Sequence, residues 1–148
     1  ELGVVYPEHE KKHKMLHNDS HKFESNFISV EIPKNHSVMF GSLSGSKLGI
    51  WVAHGEGKFS FPYEEKEYHI ALKYNYEGYP ANPNGSPWSV AGVCSKDGRH
   101  LAMMPHPERA IFPWQCGYYP EDRRNSDEVT PWIEGFVNAR KWIEEHKK

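Results

Sequence analysis

A chain of 148 residues and 17.2 kDa has the size of one compact domain. Hydrophobic residues make up 37% of it and aromatic residues 14%, which excludes an intrinsically disordered segment. Eighteen basic and twenty acidic side chains give a formal net charge of −2, so we expect neither nucleic acid nor a membrane surface as a partner. Its apolar runs are shorter than the roughly 18 residues of a membrane span.

Cysteine usage and the start of the chain bear on its setting. Two cysteines cannot form a disulfide framework, and no secretory signal opens the sequence, so we expect a cytoplasmic protein. The first residue is Glu1 instead of Met. We therefore expect residues 1–148 to be a single partial domain, a fragment of a longer polypeptide.

In chain order, a polar stretch at residues 8–21, rich in Lys and His, is expected to be solvated and to form one or two helical turns. Apolar alternation and short apolar runs then predict strands, at residues 26–32, 48–53, 69–76, 89–94 and 99–104. Asp97 and Gly98, between the last two, are typical of a tight hairpin turn. A helix is predicted from Pro131, with Thr130 as its N-cap. The fold class is therefore α/β, rich in strands, with a C-terminal helix.

The motif MMPHPER at residues 103–109 is the most informative candidate site. Pro105 and Pro107 restrict the backbone on both sides of His106. Because residues two positions apart in an extended backbone project to the same side, we expect His106 and Glu108 to be neighbours. A carboxylate beside an imidazole fixes its tautomer and stabilises its protonated form. The pair is typical of a general acid–base that still needs a nucleophile; the alternative is a proline-rich surface turn.

Neither cysteine has the surroundings of a nucleophile. Cys94 follows Gly92 and Val93 as in a nucleophile elbow, but the elbow requires a helix after the cysteine. Residues 96–98 instead turn the chain into another strand. Cys116 lies in an irregular loop with no helix N-terminus to lower the pKa of its thiol. We therefore expect the nucleophile to lie outside this chain.

Three further patterns carry weaker signals. The HGEG motif at residues 54–57 follows a buried strand, where α/β proteins bind ligands, although His54 and Glu56 are equally interpretable as paired polar residues. The motif NPNGSP at residues 82–87 is, on its own, a well-specified turn. Histidines at every fourth position have a spacing that can chelate a metal on a helix, but the intervening lysines argue against a metal site; these are His9, His13, His17 and His21.

Taken together, three of these motifs resemble a known family. MMPHPER, NPNGSP and HGEG are similar to motifs in the glutaminase domain of phosphoribosylformylglycinamidine synthases, which belongs to the triad (class I) glutamine amidotransferases. The later stretches PWQ at residues 113–115 and FVNARKW at residues 136–142 resemble the C-terminus of the large, single-chain form of these enzymes. The resemblance extends over residues 18–142.

The resemblance implies a flavodoxin-like α/β domain with a Cys-His-Glu triad. His106 and Glu108 match its His and Glu, whereas the Cys of its elbow has no counterpart here, so we expect this chain to be inactive alone. His54 and Gly55 match the family's second glutamine-contacting loop, which acts largely through its backbone. The expected partners are glutamine and the remainder of the same polypeptide, which carries the cysteine and a synthetase domain.

The implied reaction is hydrolysis of glutamine to supply ammonia. In the synthetase domain, ATP and magnesium would drive the conversion of formylglycinamide ribonucleotide to the amidine, a ligase step of purine synthesis. No cofactor or metal site is expected within this chain. Two alternatives stay open: a non-catalytic module that binds a metal or a partner, and an independent cysteine hydrolase that pairs Cys116 with His106.

Overall fold

The computed structural model describes residues 2–147. Its strands are β1 (Lys14–His17), β2 (Glu24–Glu31), β3 (Lys47–His54), β4 (Glu56–Ser60), β5 (His69–Tyr74), β6 (Val90–Cys94) and β7 (Leu101–Met103). Its α-helices are α1 (Leu2–Val5), α2 (Glu121–Arg124) and α3 (Ile133–Glu145). The architecture is α/β, with a curled antiparallel sheet as its main element.

Five strands form this sheet in the order β3-β2-β5-β6-β7. Its longest ladder joins β2 to β3 and places Glu24 opposite His54. After β7 the chain reaches β3 at the far edge, where the N–H of His106 donates to the carbonyl of Trp51 over 2.8 Å. The sheet therefore curls until its two edges meet at this point, and His106 lies at the junction.

The main apolar core lies on one face of β2 and β3. Alternation puts Ile28 and Val30 on the same face as Ile50, and all three side chains are buried. Trp132 is 1% exposed and packs into this core, and its indole N–H donates to the carbonyl of Gly49 over 2.8 Å. A second apolar cluster packs α1 against β4 and β6. Its buried members are Leu2, Val5, Tyr6, Phe59, Tyr68, Val90 and Val93.

The histidine-rich N-terminal stretch differs from the prediction. Residues 14–17 form β1, which pairs with β4 in a separate two-stranded ribbon, where helical turns were predicted. Met15 lies opposite Phe59 and packs against the second cluster. Residues 14–17 form a strand instead of helical turns for two reasons. β4 supplies hydrogen-bond partners for their backbone, and Met15 packs against an apolar surface that a solvated helix would not provide.

The five predicted strands are confirmed, with bounds that shift by up to two residues. The predicted hairpin is also present: Gly98 has φ 72°, and its N–H donates to the carbonyl of Ser95 over 2.9 Å. β4 was not predicted, because the two glycines in its neighbourhood favour a loop.

At the C-terminus, α3 begins at Ile133, two positions after the predicted start. Pro131 and Trp132 form a turn there, in which the carbonyl of Thr130 accepts the N–H of Ile133 over 3.2 Å. None of the helices within residues 2–147 has the length and apolar character that crossing a bilayer demands. All strand pairs of the sheet and the ribbon are antiparallel, so the part of the chain described here does not contain the parallel sheet of a flavodoxin-like domain.

Candidate active site

The segment that carries His106 is fixed through its backbone. The N–H of Met104 donates to the carbonyl of Ala91 over 3.0 Å, and the N–H of His106 donates to Trp51 over 2.8 Å. These two bonds tie the segment to β6 on one side and to β3 on the other. Pro107–Arg109 then form a 3-10 turn. The backbone of His106 is therefore held independently of its side chain.

His106 and Glu108 form the centre of the site. Nδ1 of His106 lies 2.8 Å from Oε1 of Glu108, and because an ionised carboxylate only accepts, Nδ1 is the donor. Nε2 of the neutral imidazole then carries the lone pair, and it makes no hydrogen bond to any residue between 2 and 147. The two side chains are 28% and 55% exposed. The pair is thus a preoriented acid–base that an incoming group can reach.

The two side chains lie together as predicted, but the cause is different. His106 is extended, with φ −112° and ψ 90°, whereas Glu108 lies in the 3-10 turn that follows. Pro107 starts this turn because its ring fixes φ near the helical value. The turn, and not a continuous extended backbone, brings the carboxylate to the imidazole. Nε of Arg109 lies 3.8 Å from the same carboxylate oxygen.

His54 ends β3 and is 5% exposed. The fully buried Asn18 holds it: the amide N–H of Asn18 donates to the carbonyl of His54 over 2.7 Å, and Oδ1 lies 3.0 Å from Nδ1 of His54. The second amide N–H is used on the carbonyl of Lys22, at 2.9 Å. Oδ1 must therefore accept, and Nδ1 of His54 must donate.

This bonding decides the charge and tautomer of His54. Burial lowers the pKa of its imidazole; a nearby His106 adds to the lowering, and Glu24 opposes it. The imidazole is therefore neutral near pH 7, with the proton on Nδ1 and the lone pair on Nε2.

The two glycines that follow His54 differ in the room around them. A Cβ at Gly57 would lie 2.6 Å from Nδ1 of His54, so only glycine lets the imidazole occupy its place. A Cβ at Gly55 would meet only Phe23, at 3.8 Å. The carbonyl of Gly55 accepts the N–H of Asn18 over 2.9 Å. The predicted loop is thus a tight connection between β3 and β4 at His54 and Gly55. Asn18 donates hydrogen bonds to the carbonyls of both residues.

The NPNGSP motif forms a turn that is tied to β4. The side chain of Asn82 accepts the N–H of Gly85 over 3.0 Å and donates to the carbonyl of Ser86 over 2.9 Å. The hydroxyl of Ser86 accepts the N–H of Phe59 in β4 over 3.0 Å. The turn therefore packs directly against the strand that continues from the HGEG motif.

The two cysteines are placed as the sequence predicts. Cys94 is fully buried in β6, and burial raises the pKa of its thiol to about 11. Cys116 is half-buried, burial raises the pKa of its thiol as well, and its sulfur lies 3.7 Å from the carbonyl of Phe112. Within the described range, neither thiol is hydrogen-bonded to His106.

The histidine series does not form one cluster. Nδ1 of His9 lies 3.2 Å from Nε2 of His13, which also lies 3.1 Å from the hydroxyl of Tyr68. His17 lies 3.5 Å from Glu56, so the suggested pairing of Glu56 with His54 is wrong. For residues 2–147, no three His, Cys, Asp or Glu side chains are grouped so as to hold a metal ion.

Sequence reasoning missed Asn18 and Glu24. Glu24 stands opposite His54 in the ladder, and Oε1 of Glu24 and Nε2 of His54 are both buried without a hydrogen-bond partner in the described chain. One signal was available: Glu24 has the same parity as Ile28 and Val30, the apolar face of β2. Nothing comparable marks Asn18, whose partner lies 36 positions away.

Comparison with known proteins identifies the family. Residues 1–143 match the family described as the CobB/CobQ-like glutamine amidotransferase domain. The chain belongs to this family. The resemblance of its motifs to glutamine amidotransferases is thereby confirmed.

Relatives of this glutamine amidotransferase domain are found in large proteins. The chain is 44% identical over 145 residues to the probable phosphoribosylformylglycinamidine synthase, chloroplastic/mitochondrial, of Arabidopsis thaliana, covering 88% of this chain and 10% of the relative. It is 45% identical over 142 residues to the phosphoribosylformylglycinamidine synthase of Drosophila melanogaster, covering 86% and 10%, and 41% identical over 140 residues to that of Homo sapiens, covering 86% and 10%. The chain thus spans about a tenth of the length of these relatives.

A solved structure has the same fold. A chain in the structure of PurLQS from Thermotoga maritima superposes with a TM-score of 0.66 at 25% sequence identity, covering 90% of this chain and 54% of that one. The curled antiparallel sheet is therefore part of a fold that a solved structure shares.

Proposed function

We propose that this chain supplies the His–Glu part of a glutaminase site, in which glutamine is hydrolysed to glutamate and ammonia. The observation that carries the proposal is the 2.8 Å contact between His106 and Glu108 in a member of the glutamine amidotransferase family. Because the relatives are named phosphoribosylformylglycinamidine synthase, we propose that the ammonia serves the ATP-dependent conversion of formylglycinamide ribonucleotide to the amidine, in the cytoplasm.

The proposal includes a second part of the site. Residues 1–148 are the C-terminal portion of a flavodoxin-like domain, and the portion with the nucleophilic cysteine lies elsewhere in the same polypeptide. Two observations support this: burial raises the pKa of both Cys94 and Cys116, and the chain covers 54% of the matching structure and about a tenth of its relatives. The partners of this chain are therefore glutamine and the rest of the polypeptide.

His106 carries the protons in the proposed reaction. Nε2 takes the proton of the incoming thiol, and the thiolate attacks the side-chain carbonyl carbon of glutamine. The imidazolium then protonates the departing nitrogen, so that ammonia leaves and a glutamyl thioester remains. Water attacks the thioester, its proton passes through Nε2 to the sulfur, and glutamate is released. Glu108 stabilises the imidazolium in each step through the contact at Nδ1.

The tight connection at His54 and Gly55 is the proposed second glutamine contact. Asn18 binds the carbonyls of both residues, which fixes the direction of the backbone that faces the substrate. ATP and magnesium are assigned to the synthetase domain.

The test uses the full-length protein and two nitrogen donors. His106→Ala lowers glutamine-driven synthesis about 10²–10⁴-fold, the usual contribution of a general acid–base. It leaves ammonia-driven synthesis within about twofold, because free ammonia bypasses the hydrolysis. His146→Ala, which removes an exposed imidazole of the C-terminal segment, is the control and changes neither rate. Equal loss with both donors in His106→Ala contradicts the proposal.

A further inference from the structure

Two buried acceptor atoms belong to side chains on adjacent strands next to the candidate site. Glu24 and His54 stand opposite one another in the β2–β3 ladder, and side chains in such a pair have Cβ atoms about 5 Å apart on the same face. Oε1 of Glu24 and Nε2 of His54 are both buried, and neither has a partner among the residues described. Because buried polar atoms are nearly always hydrogen-bonded, a paired defect of this kind needs a physical explanation.

Both atoms require a donor from outside the pair. Asn18 fixes the proton of His54 on Nδ1, so Nε2 presents a lone pair. An ionised carboxylate oxygen also only accepts. The two atoms therefore cannot satisfy each other, and a single group that carries several N–H bonds would satisfy both.

The charge around these two atoms selects among such donors. Glu24 on β2 contributes a negative charge, His54 on β3 is neutral, and His106 from the neighbouring segment is close enough to influence the charge state of His54. The carboxylate of Glu24 therefore places a negative charge beside the neutral imidazole of His54, which favours a cation over a neutral donor. Space favours a small head group, because both acceptor atoms are closed to solvent.

We propose that Glu24 and His54 form a binding site for an ammonium group, with Oε1 and Nε2 as its two acceptors. This inference rests on the proposed glutaminase function, which provides two sources of such a group. One is the α-ammonium of glutamine, and the other is the ammonia that is released beside His106 and takes up a proton. Both sources share the same recognition chemistry, and kinetics distinguishes them.

The experiment compares Glu24→Gln with the wild type and with Ser25→Ala in the full-length protein. Ser25 is exposed and lies on the opposite face of β2, so it is a matched control. KM is measured for glutamine, for glutaramate (glutamine without its α-ammonium) and for ammonium chloride in ammonia-driven synthesis. Glu24→Gln removes the charge and replaces one of the two acceptor oxygens by an N–H donor. We therefore expect its melting temperature to be no lower than that of the wild type.

If the α-ammonium is bound, Glu24→Gln raises KM for glutamine about 10- to 100-fold, the effect of losing a charge-assisted hydrogen bond, and leaves KM for glutaramate within about twofold. If released ammonium is bound, only KM for ammonium chloride rises, about tenfold. Should Glu24→Gln fail to fold, Glu24→Asp is used instead, because its shorter side chain keeps the negative charge but places it farther from the bound ammonium group. Glu24→Asp then raises KM for whichever of glutamine or ammonium chloride is bound, about three- to tenfold.

Two results overturn the inference while leaving the glutaminase function intact. In one, all three KM values of Glu24→Gln stay within about twofold of the wild type, which means that the acceptors hold only a water molecule. In the other, all three rise together and the melting temperature falls, which means that Glu24 has a structural role. If wild type and Ser25→Ala both fail to hydrolyse glutamine, the proposed function is refuted and the ammonium site falls with it.

Discussion

The contrast between Gly57 and Gly55 provides a sharp test of how His54 is held. A methyl group at Gly57 would lie 2.6 Å from Nδ1 and 2.8 Å from Cε1 of His54, distances that no real structure tolerates. The imidazole must move, and its 3.0 Å contact with Asn18 is lost. The same substitution at Gly55 meets only Phe23 at 3.8 Å, an ordinary van der Waals distance. Neither glycine has a positive φ, so the two sites differ in packing alone.

The magnitude follows from three contributions. Overpacking a buried site costs about 1–3 kcal/mol, and the lost hydrogen bond costs about 1 kcal/mol. Replacing glycine by alanine stabilises the protein by about 0.4–1 kcal/mol, because it lowers the conformational entropy of the unfolded chain. Gly57→Ala should therefore lower the free energy of unfolding by about 1–4 kcal/mol, whereas Gly55→Ala should leave it unchanged or raise it by up to about 1 kcal/mol.

Urea denaturation of the 148-residue chain, followed by the fluorescence of its five tryptophans, measures both values. Slopes that agree between the variants would show that the comparison is one of stability. Equal destabilisation by the two substitutions would refute the reasoning, because it would mean that the imidazole of His54 does not occupy the space above Gly57.

Three further predictions concern the turn, the thiols and pH. Gly98→Ala should lower the free energy of unfolding by about 1–3 kcal/mol or more, because Gly98 has φ 72° and a Cβ there would lie 2.2 Å from the carbonyl oxygen of His36. An unchanged free energy of unfolding in the same assay would contradict the geometry of this turn. Iodoacetamide at neutral pH should modify Cys116 more slowly than a free cysteine, and Cys94 more slowly still, because burial raises the pKa of both thiols. Peptide mass mapping measures the two rates of alkylation, and a rate above that of free cysteine at either thiol would favour the independent hydrolase. Because burial lowers the pKa of His54, this imidazole takes up its proton at a higher pH in the unfolded chain than in the folded one, so the contribution of His54 to stability is complete above about pH 6.5 and is lost below it. The free energy of unfolding of the wild type should therefore fall more steeply from about pH 7 to about pH 5 than that of His54→Gln. Parallel curves for the two proteins would contradict this sign.

The sequence predicts the candidate catalytic pair well because the interaction is local. His106 and Glu108 are two positions apart and flanked by proline, so any compact turn brings them together, and an incorrect choice of backbone geometry still leads to the right neighbours. The buried strands are similarly accessible, since apolar alternation is a local property of residues such as Ile28 and Val30.

The remainder depends on pairing between distant segments. Asn18 meets His54 across 36 positions, and that contact exists only because β2 and β3 pair in one register. β1 forms for the same kind of reason, since a short polar strand has little propensity of its own and is stabilised by β4. Periodicity carries no information about such partners, which is why the N-terminal stretch was wrongly predicted to be helical.

The curl of the sheet links the two halves of the candidate site. His106 binds the backbone of β3 at Trp51, three residues before His54, so the acid–base pair and the tight connection are carried by the same edge strand. Side-chain hydrogen bonds then set the finer geometry at each end, through Glu108 on one side and Asn18 on the other. In the proposed reaction, substrate contact and proton transfer are thus positioned by one strand, and we propose that the sulfur of the glutamyl thioester comes from a different part of the polypeptide.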